Sequence, residues 1–100
     1  MARFIAVVSG DSMWPTYSEG DRLLCAELLE SAVSVGSVVV FKHPFKTSLH
    51  LVKRVTSIEG AELFVEGDNT DPTSSEDSHN FGKIPTSSVL GIVIDKPNDV

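Results

Sequence analysis

The segment "SGDSMWPT" contains a serine, Ser12, at a point where a strand has to end. The apolar run "FIAVV" precedes it, and Pro15 lacks the N–H group that a central strand must donate. Ser12 is therefore predicted to lie at a strand exit, at an edge or in a cleft. As a turn residue or a helix cap it would need no partner. As a nucleophile it would need a positioned base to take its proton, so the hypothesis of nucleophilic catalysis depends on a base elsewhere in the chain.

Lys53 is the candidate base. In "LHLVKRVTSI", the strand period of two places Leu49, Leu51, Lys53 and Val55 on one face. A lysine in an apolar row loses hydration, which lowers its pKa and can supply the neutral amine that a base must be. The same pattern allows Lys53 to extend its ammonium group from an edge strand into water. The alternation alone leaves both interpretations open.

Other nucleophilic and metal-binding arrangements have weaker support. A triad of serine, histidine and an acid stays open with His43, His50 or His79, because triads are recognised by geometry, which spacing does not supply. His43 follows a predicted strand and His79 lies in a polar segment, where solvated histidines are common. Cys25 in "LLCAEL" is typical of a small buried side chain rather than of a reactive thiol. No metal-ligand spacing links the cysteine and the histidines, so no metal site is expected.

Composition narrows the possible partners. The chain of 100 residues has a net charge of −6, and its 8 Lys and Arg side chains are scattered rather than clustered. Nucleic acids and anionic membranes attract clustered positive charge, so neither is an expected partner. A single cysteine permits no intrachain disulfide, which favours a cytoplasmic location. The apolar runs are far shorter than the roughly 20 residues that span a bilayer, so no integral membrane segment is expected.

Short strands must position the candidate residues, because glycine and proline interrupt the apolar runs and no long amphipathic helix is indicated. The predicted fold class is all-β, with room for a helical turn, in one domain over residues 1–100. The strands are predicted at Arg3–Val8, Arg22–Ala26, Ser37–His43, Leu49–Ile58, Leu63–Glu66 and Val89–Asp95. The polar segment "DNTDPTSSEDSHN" is predicted to be a flexible surface loop, since its side chains favour local hydrogen bonds to the backbone.

The serine segment resembles the nucleophile box of the type I signal peptidase family, which are serine peptidases that use a serine and a lysine. The matching residues are Ser12, Met13, Pro15 and Thr16. Three further segments follow in the family's order: "GSVVVFKHP", "LVKRV" and "GDNTDPTSSEDSHNFGKIP". The final "VLGIVI" is similar to the family's closing strand. The resemblance covers nearly the whole chain and implies a fold of coiled β-sheets, shared with the cleavage domains of SOS repressors.

The resemblance also implies roles. Ser12 would be the nucleophile and Lys53 the general base. Ser75 would orient the lysine ammonium, and Asp77 and Ser78 would hold the site in its geometry as supporting residues. A backbone N–H of the serine loop would stabilise the oxyanion that develops in the transition state.

Substrate contacts are implied around the nucleophile. The expected substrate-binding residues are Ser9, Gly10, Asp11 and Met13. Gly10 stands where several bacterial members have a serine that donates to the oxyanion, so Ser9 or water would have to replace that donor. His79 stands where arginine is usual, which implies a weaker or pH-dependent ion pair with the acid at position 77.

Within the family, the chain most resembles the small soluble branch described as nickel superoxide dismutase maturation proteases, because no membrane anchor is visible in it. The implied activity is that of a cytoplasmic endopeptidase that removes a leader or propeptide from a precursor protein, most directly the nickel superoxide dismutase precursor. No cofactor is implied, and nickel would belong to the substrate.

Three alternatives remain. One is signal peptidase-like processing of another precursor. Another is an SOS-type self-cleaving domain, since "SGDSM" is also similar to those domains, although Pro15, Thr16 and the Gly-Asp-Asn segment favour the signal peptidase side. The third is a non-catalytic β module that binds an extended peptide, with Ser12 as a turn residue.

Overall fold

The computed structural model describes residues 2–27, 33–71, 73 and 76–97. Within these ranges, the strands are β1 (Arg3–Val7), β2 (Arg22–Glu27), β3 (Val38–Lys42), β4 (His50–Glu59), β5 (Glu62–Glu66), β6 (Ile84–Pro85) and β7 (Val89–Asp95). In the same ranges, helix α1 covers Ser78–Phe81 and a 3-10 turn covers Thr86–Ser88. None of the helices in the described ranges is long and apolar enough to cross a bilayer.

The strands form one antiparallel sheet in the order β1-β2-β7-β3-β4-β5-β6. Each of the 6 predicted strands has a counterpart whose ends differ from the prediction by no more than one residue. The register shifts in three pairings, at Leu24/Cys25, Val40/Phe41 and Val55/Ser57. Such irregularities increase strand twist and bend a sheet. The prediction of an all-β fold is confirmed.

The sheet carries apolar clusters on both faces, because its central strand is apolar without alternation. Val39 and Phe41 of β3 belong to one buried cluster and Val40 to another. A strand buried on both faces reads as a continuous apolar run, which is what "VVVF" shows. The larger cluster contains Val39, Phe41, Val55, Leu63, Val65, Ile84 and Val89. The second contains Val8, Leu23, Cys25 and Val40.

The polar segment after β5 differs from the flexible loop that was predicted. The Asp77 carboxylate caps α1 by accepting the His79 N–H at 2.9 Å, and the Asn80 side chain accepts the Asp77 N–H at 3.1 Å. Strand β6 follows and pairs with β5. Both elements escaped prediction because four helical residues show no apolar period and a two-residue strand shows no alternation.

Gly91 in β7 lies where the backbone of β2 and an aromatic ring approach closely. A Cβ at this position would lie 2.6 Å from Phe4 Cε1 and 2.7 Å from the Ala26 carbonyl oxygen. We predict that Gly91→Ala lowers the free energy of unfolding by about 1–3 kcal/mol, because the β2 backbone would have to move. Urea denaturation would measure the change. Ser57→Ala, at an exposed position of β4, is the control, and an equal stability of both variants would contradict this packing.

Candidate active site

Ser12 lies just beyond the end of β1, in a turn that two backbone hydrogen bonds begin. The Val8 N–H donates to the Asp21 carbonyl at 2.9 Å, and the Gly20 N–H donates to the Val8 carbonyl at 2.8 Å. Gly10 then adopts a φ of +82°, a conformation that favours glycine. The chain therefore leaves the sheet abruptly and exposes part of the Ser12 side chain.

Lys53 points from the middle of β4 to this turn. Its backbone pairs with Val39 of the central strand, and its Nζ lies 2.8 Å from Ser12 Oγ. Only 3% of the Lys53 residue is accessible to solvent. The structure thus brings together the two residues that the sequence singled out, and it does so with the lysine buried rather than extended into water.

The surroundings of Lys53 favour its neutral form. Burial lowers the pKa of Lys53 from the ordinary value of a lysine, because a charged ammonium loses hydration. The carboxylates of Asp77 and Glu76 oppose this effect by attracting the charged form. The balance lies toward a lowered pKa, so the amine loses its proton more readily than an exposed lysine.

Asn69 holds the serine turn in place. Its backbone N–H donates to the Ser12 carbonyl at 2.9 Å, and its side-chain amide donates to the Asp11 carbonyl at 2.9 Å. On the other side of Ser12, Met13 is 1% exposed and anchors the turn in the interior. These contacts leave the Ser12 side chain little freedom to move relative to Lys53.

Asp68 joins the serine loop to the lysine strand. Its carboxylate receives two hydrogen bonds from the Arg54 guanidinium, at 2.9 and 2.8 Å, and one from the Thr16 hydroxyl at 2.6 Å. The hydrogen bonds from Arg54 hold the pKa of Asp68 below its ordinary value. Arg54 also donates to the Gly36 carbonyl at 2.8 Å, which ties the loop before β3 to the same carboxylate.

The expected supporting residues lie next to the site. Asp77 is buried, accepts the Gly67 N–H at 3.3 Å and lies 3.0 Å from His79 Nδ1. The Ser78 hydroxyl accepts the Val65 N–H at 2.9 Å and attaches α1 to β5. Ser75 lies outside the described residues. The supporting roles of Asp77 and Ser78 stay predictions, although both side chains make contacts that fix this segment.

A cavity of about 100 Å³ opens beside the Ser12 and Lys53 side chains. Ser9 and Met13, which were expected to contact substrate, are among its lining residues. Gly10 and Asp11 serve the turn instead. The Gly10 N–H donates to Glu19 Oε1 at 3.3 Å, and the Asp11 carbonyl also accepts the Trp14 N–H at 3.0 Å. Substrate contacts for the four residues remain predictions.

The sequence did not predict the contact between His43 and Glu76. His43 was interpreted as a solvated histidine at a strand end, but it is 1% exposed and its Nε2 lies 3.1 Å from Glu76 Oε1. The residues stand 33 positions apart, so no local pattern could link them. One signal was available, since the strand period of two places His43 on the same face as Val39 and Phe41.

Comparison with known families agrees with the fold. The family model described as "Signal peptidase, peptidase S26" matches residues 4–69, which include Ser12, Lys53 and the Gly-Asp-Asn segment. The chain belongs to this family of signal peptidases.

Three curated relatives are similar over most of the chain. Mitochondrial inner membrane protease subunit 1 of Xenopus tropicalis is 31% identical over 109 residues, covering 87% of this chain and 64% of the relative. Mitochondrial ATP-independent inner membrane protease subunit 1b of Arabidopsis thaliana is 29% identical, covering 91% and 68%. Subunit 1 of Schizosaccharomyces pombe is 28% identical, covering 90% and 70%. The chain thus spans about two thirds of the length of these relatives.

These relatives correct part of the sequence interpretation. The predicted cytoplasmic location is wrong, since the similar proteins are named for the mitochondrial inner membrane. A single cysteine excludes an intrachain disulfide in any compartment, so it does not identify the compartment. The relatives also give no support to the nickel superoxide dismutase maturation branch.

We predict that Asp68→Asn loosens the link between the serine loop and β4. The amide lacks the charge that binds Arg54, so the free energy of unfolding at pH 7 should fall by about 1–3 kcal/mol. Because the pKa of Asp68 is lowered in the folded state, its stabilising effect exists above the unfolded pKa and is lost as pH falls through the folded pKa.

Urea denaturation at neutral and acidic pH would test this prediction. The wild-type and Asp68→Asn curves should converge as the pH falls below the ordinary aspartate range. Glu62→Gln removes one negative charge from an exposed position on β5 and serves as the control. A stability difference that stayed constant with pH would show that the Asp68 charge does not stabilise the loop.

Proposed function

We propose that the chain is the catalytic domain of a serine endopeptidase, residues 1–100, in which Ser12 is the nucleophile and Lys53 the general base. The observation that carries the proposal is the 2.8 Å contact between Ser12 Oγ and a lysine amine that is 3% exposed. A serine hydroxyl is a weak nucleophile until a base takes its proton. Burial lowers the pKa of Lys53, which makes its amine able to act as that base.

The reaction follows from this pair. Neutral Lys53 accepts the hydroxyl proton as Ser12 Oγ bonds to the scissile carbonyl carbon. The resulting ammonium donates that proton to the leaving amine, and the peptide bond breaks to leave an acyl-enzyme. Lys53 then takes a proton from a water molecule, which attacks the ester and releases the acid product and the serine.

The backbone of the serine turn offers a donor for the oxyanion. The Ser12 N–H has no hydrogen-bond acceptor among the residues that the structure describes, and it belongs to the nucleophile itself. A donor fixed in this position stabilises the tetrahedral oxyanion more than the planar carbonyl. Ser9 lines the adjoining cavity and is the nearest candidate for a second donor, since Gly10 has no side chain to donate.

A groove suited to an extended peptide leads to Ser12. Strand β1 lies at one end of the sheet order, so one edge of it carries no partner in the described part of the chain. A second cavity, of about 430 Å³, lies beside β1 and shares Val7, His50 and Val52 with the cavity at Ser12. An extended substrate could pair its main chain with the β1 edge and place alternate side chains in the two cavities. The cavity at Ser12, of about 100 Å³, favours a small side chain.

The proposed substrate class and location of this chain rest on the names of its relatives. Their names favour a membrane-associated protease subunit that acts at a mitochondrial inner membrane, on precursor proteins that reach it. The nickel superoxide dismutase precursor is the more specific hypothesis from the sequence. It should be tested as one substrate among several.

We predict that the wild-type protein cleaves extended peptides with a small residue before the scissile bond. Mass spectrometry on a mixed peptide library, with the nickel superoxide dismutase precursor as a separate sample, would identify the products. Ser12→Ala and Lys53→Met should each lower the rate of cleavage by at least about 10³-fold, because removing one residue of a catalytic unit removes most of the rate that the unit provides. Ser57→Ala, at an exposed position of β4, is the control and should keep the activity of wild type. Cleavage that survives Ser12→Ala would disprove the mechanism, and binding without cleavage by wild type would favour the peptide-binding module.

We predict that kcat/KM rises with pH. The active form has neutral Lys53, whose fraction increases as pH rises through its pKa. Because burial lowers that pKa, half of the maximal activity should be reached below the ordinary lysine value of 10.5. Lys53→Arg should be inactive at every pH, since arginine keeps its proton. An activity that is independent of pH across this range would contradict a lysine base.

A further inference from the structure

His43 occupies a position that fixes both nitrogens of its ring. It directly follows β3 and is 1% exposed. Its Nδ1 accepts two backbone N–H groups, from Phe45 at 3.0 Å and from Lys46 at 3.1 Å. A nitrogen that accepts cannot carry a hydrogen, so the ring hydrogen is on Nε2.

The Nε2–H donates to Glu76 Oε1 at 3.1 Å. The ring also packs against Phe81 of α1 in a T-shaped arrangement, with the ring centroids 5.2 Å apart. His43 therefore connects the turn between β3 and β4 to the segment that begins α1. Glu76 is 48% exposed, and without this bond its carboxylate could turn into solvent.

Glu76 and its neighbour Asp77 are the two carboxylates whose charge acts on Lys53. Asp77 is held by the Gly67 N–H and by its capping bonds to α1. Among the residues that the structure describes, only the His43 ring holds the Glu76 side chain, by one charge-assisted hydrogen bond. The position of this charge relative to Lys53 thus depends on His43.

We propose that His43 is a positioning residue for the Ser12–Lys53 pair, because it holds the Glu76 carboxylate in place and so fixes the negative charge that acts on the lysine. The proposal rests on the proposed function for the catalytic role of Lys53. It does not require His43 to contact substrate.

The other titratable groups near these residues are His50 on β4 beside the cavity, Asp11 next to Ser12, and Lys42 and Lys46 on either side of His43. None of them donates a hydrogen bond to the Glu76 carboxylate among the described contacts. A change in the Glu76 position should therefore reach Lys53 directly rather than through a second ion pair.

Two single variants separate the parts of this arrangement. In His43→Asn, the amide oxygen can still accept the two backbone N–H groups, but the side chain is too short to reach Glu76. In Glu76→Gln, the contact with His43 can persist while the charge is lost. His43→Gln carries an amide N–H at the position of Nε2 and should restore the contact with Glu76.

The matched control is Glu62→Gln. It removes the same charge from an exposed position on β5, which pairs with Glu59 of β4. Glu59 is six residues from Lys53, so the control lies about 20 Å from the lysine along the strand.

Lysine side-chain NMR on protein labelled at Cε would measure the titration of Lys53, identified by the signal that Lys53→Arg removes. We expect the Lys53 midpoint to shift to lower pH in His43→Asn and in Glu76→Gln, since both weaken the negative charge near the ammonium. In the double variant His43→Asn/Glu76→Gln, the Lys53 midpoint should shift no further than in Glu76→Gln alone. His43→Gln and Glu62→Gln should titrate like wild type, and the acid limb of kcat/KM should shift with the NMR midpoint.

A wild-type midpoint in folded His43→Asn, together with a shifted midpoint in Glu76→Gln, would overturn the role of His43. Unshifted midpoints in both variants would overturn it as well, as would equal shifts in the Glu62→Gln control. If His43→Asn does not fold, Glu76→Asp replaces it, since this variant keeps the charge but is too short to reach His43 Nε2. Its Lys53 midpoint should also shift to lower pH, and an unshifted midpoint would overturn the role of His43. The titration needs no substrate, so shifted midpoints without peptide cleavage would overturn the proposed function and leave the positioning role standing.

Discussion

The burial of one amine is the constraint on which the site depends. An ammonium group loses hydration in an apolar environment, so a lysine on the inward face of a sheet is expensive to keep charged. Strand β4 creates this environment, because Lys53 shares its face with Leu51 and the fully buried Val55. The Ser12 hydroxyl lies at hydrogen-bond distance from Nζ. The cost of burying Lys53 and the proposed function of Lys53 thus have the same physical origin.

A buried base helps only if the nucleophile stays in front of it, and the serine turn has no regular structure of its own. The turn is instead held by residues that lie far along the chain. Asn69 binds its carbonyls, and Asp68 binds both Thr16 and Arg54, the residue after Lys53. Asp68 and Asn69 are consecutive in the chain, and together they bind the serine turn and β4. A movement of the turn relative to β4 would therefore break hydrogen bonds that these two residues make. The Gly-Asp-Asn segment therefore acts as a brace between two elements that do not share a backbone ladder.

The sequence predicted the strands well and the connections between them poorly, for a physical reason. Apolar runs and period-two alternation are local, and they located the six long strands. They also placed Lys53 on an apolar face but left open whether its amine is buried. Elements without a period, such as β6 and α1, left no such signal. His43 and Glu76 meet only because the hairpin and α1 pack together, so their contact required the tertiary structure. The prediction of a cytoplasmic location failed for a different reason. The cysteine count and the length of apolar runs constrain folding, but they do not identify the compartment in which a protein functions.

The edge of β1 is the remaining feature that the fold itself does not require. An apolar edge strand is a liability, since its unpaired N–H and C=O groups can pair with another chain, and here the exposed side chains include Ile5 and Val7. A peptide that adds to this edge would satisfy those groups and continue toward Ser12. Strand pairing also determines which side chains face the sheet, because a shift of one residue turns every side chain to the opposite face. With one small cavity at Ser12 and a larger one beside β1, only one register of a bound peptide would place a small residue next to the nucleophile. On the proposed function, main-chain pairing would supply affinity for any extended chain, and the size of the cavity at Ser12 would decide which bond is cut.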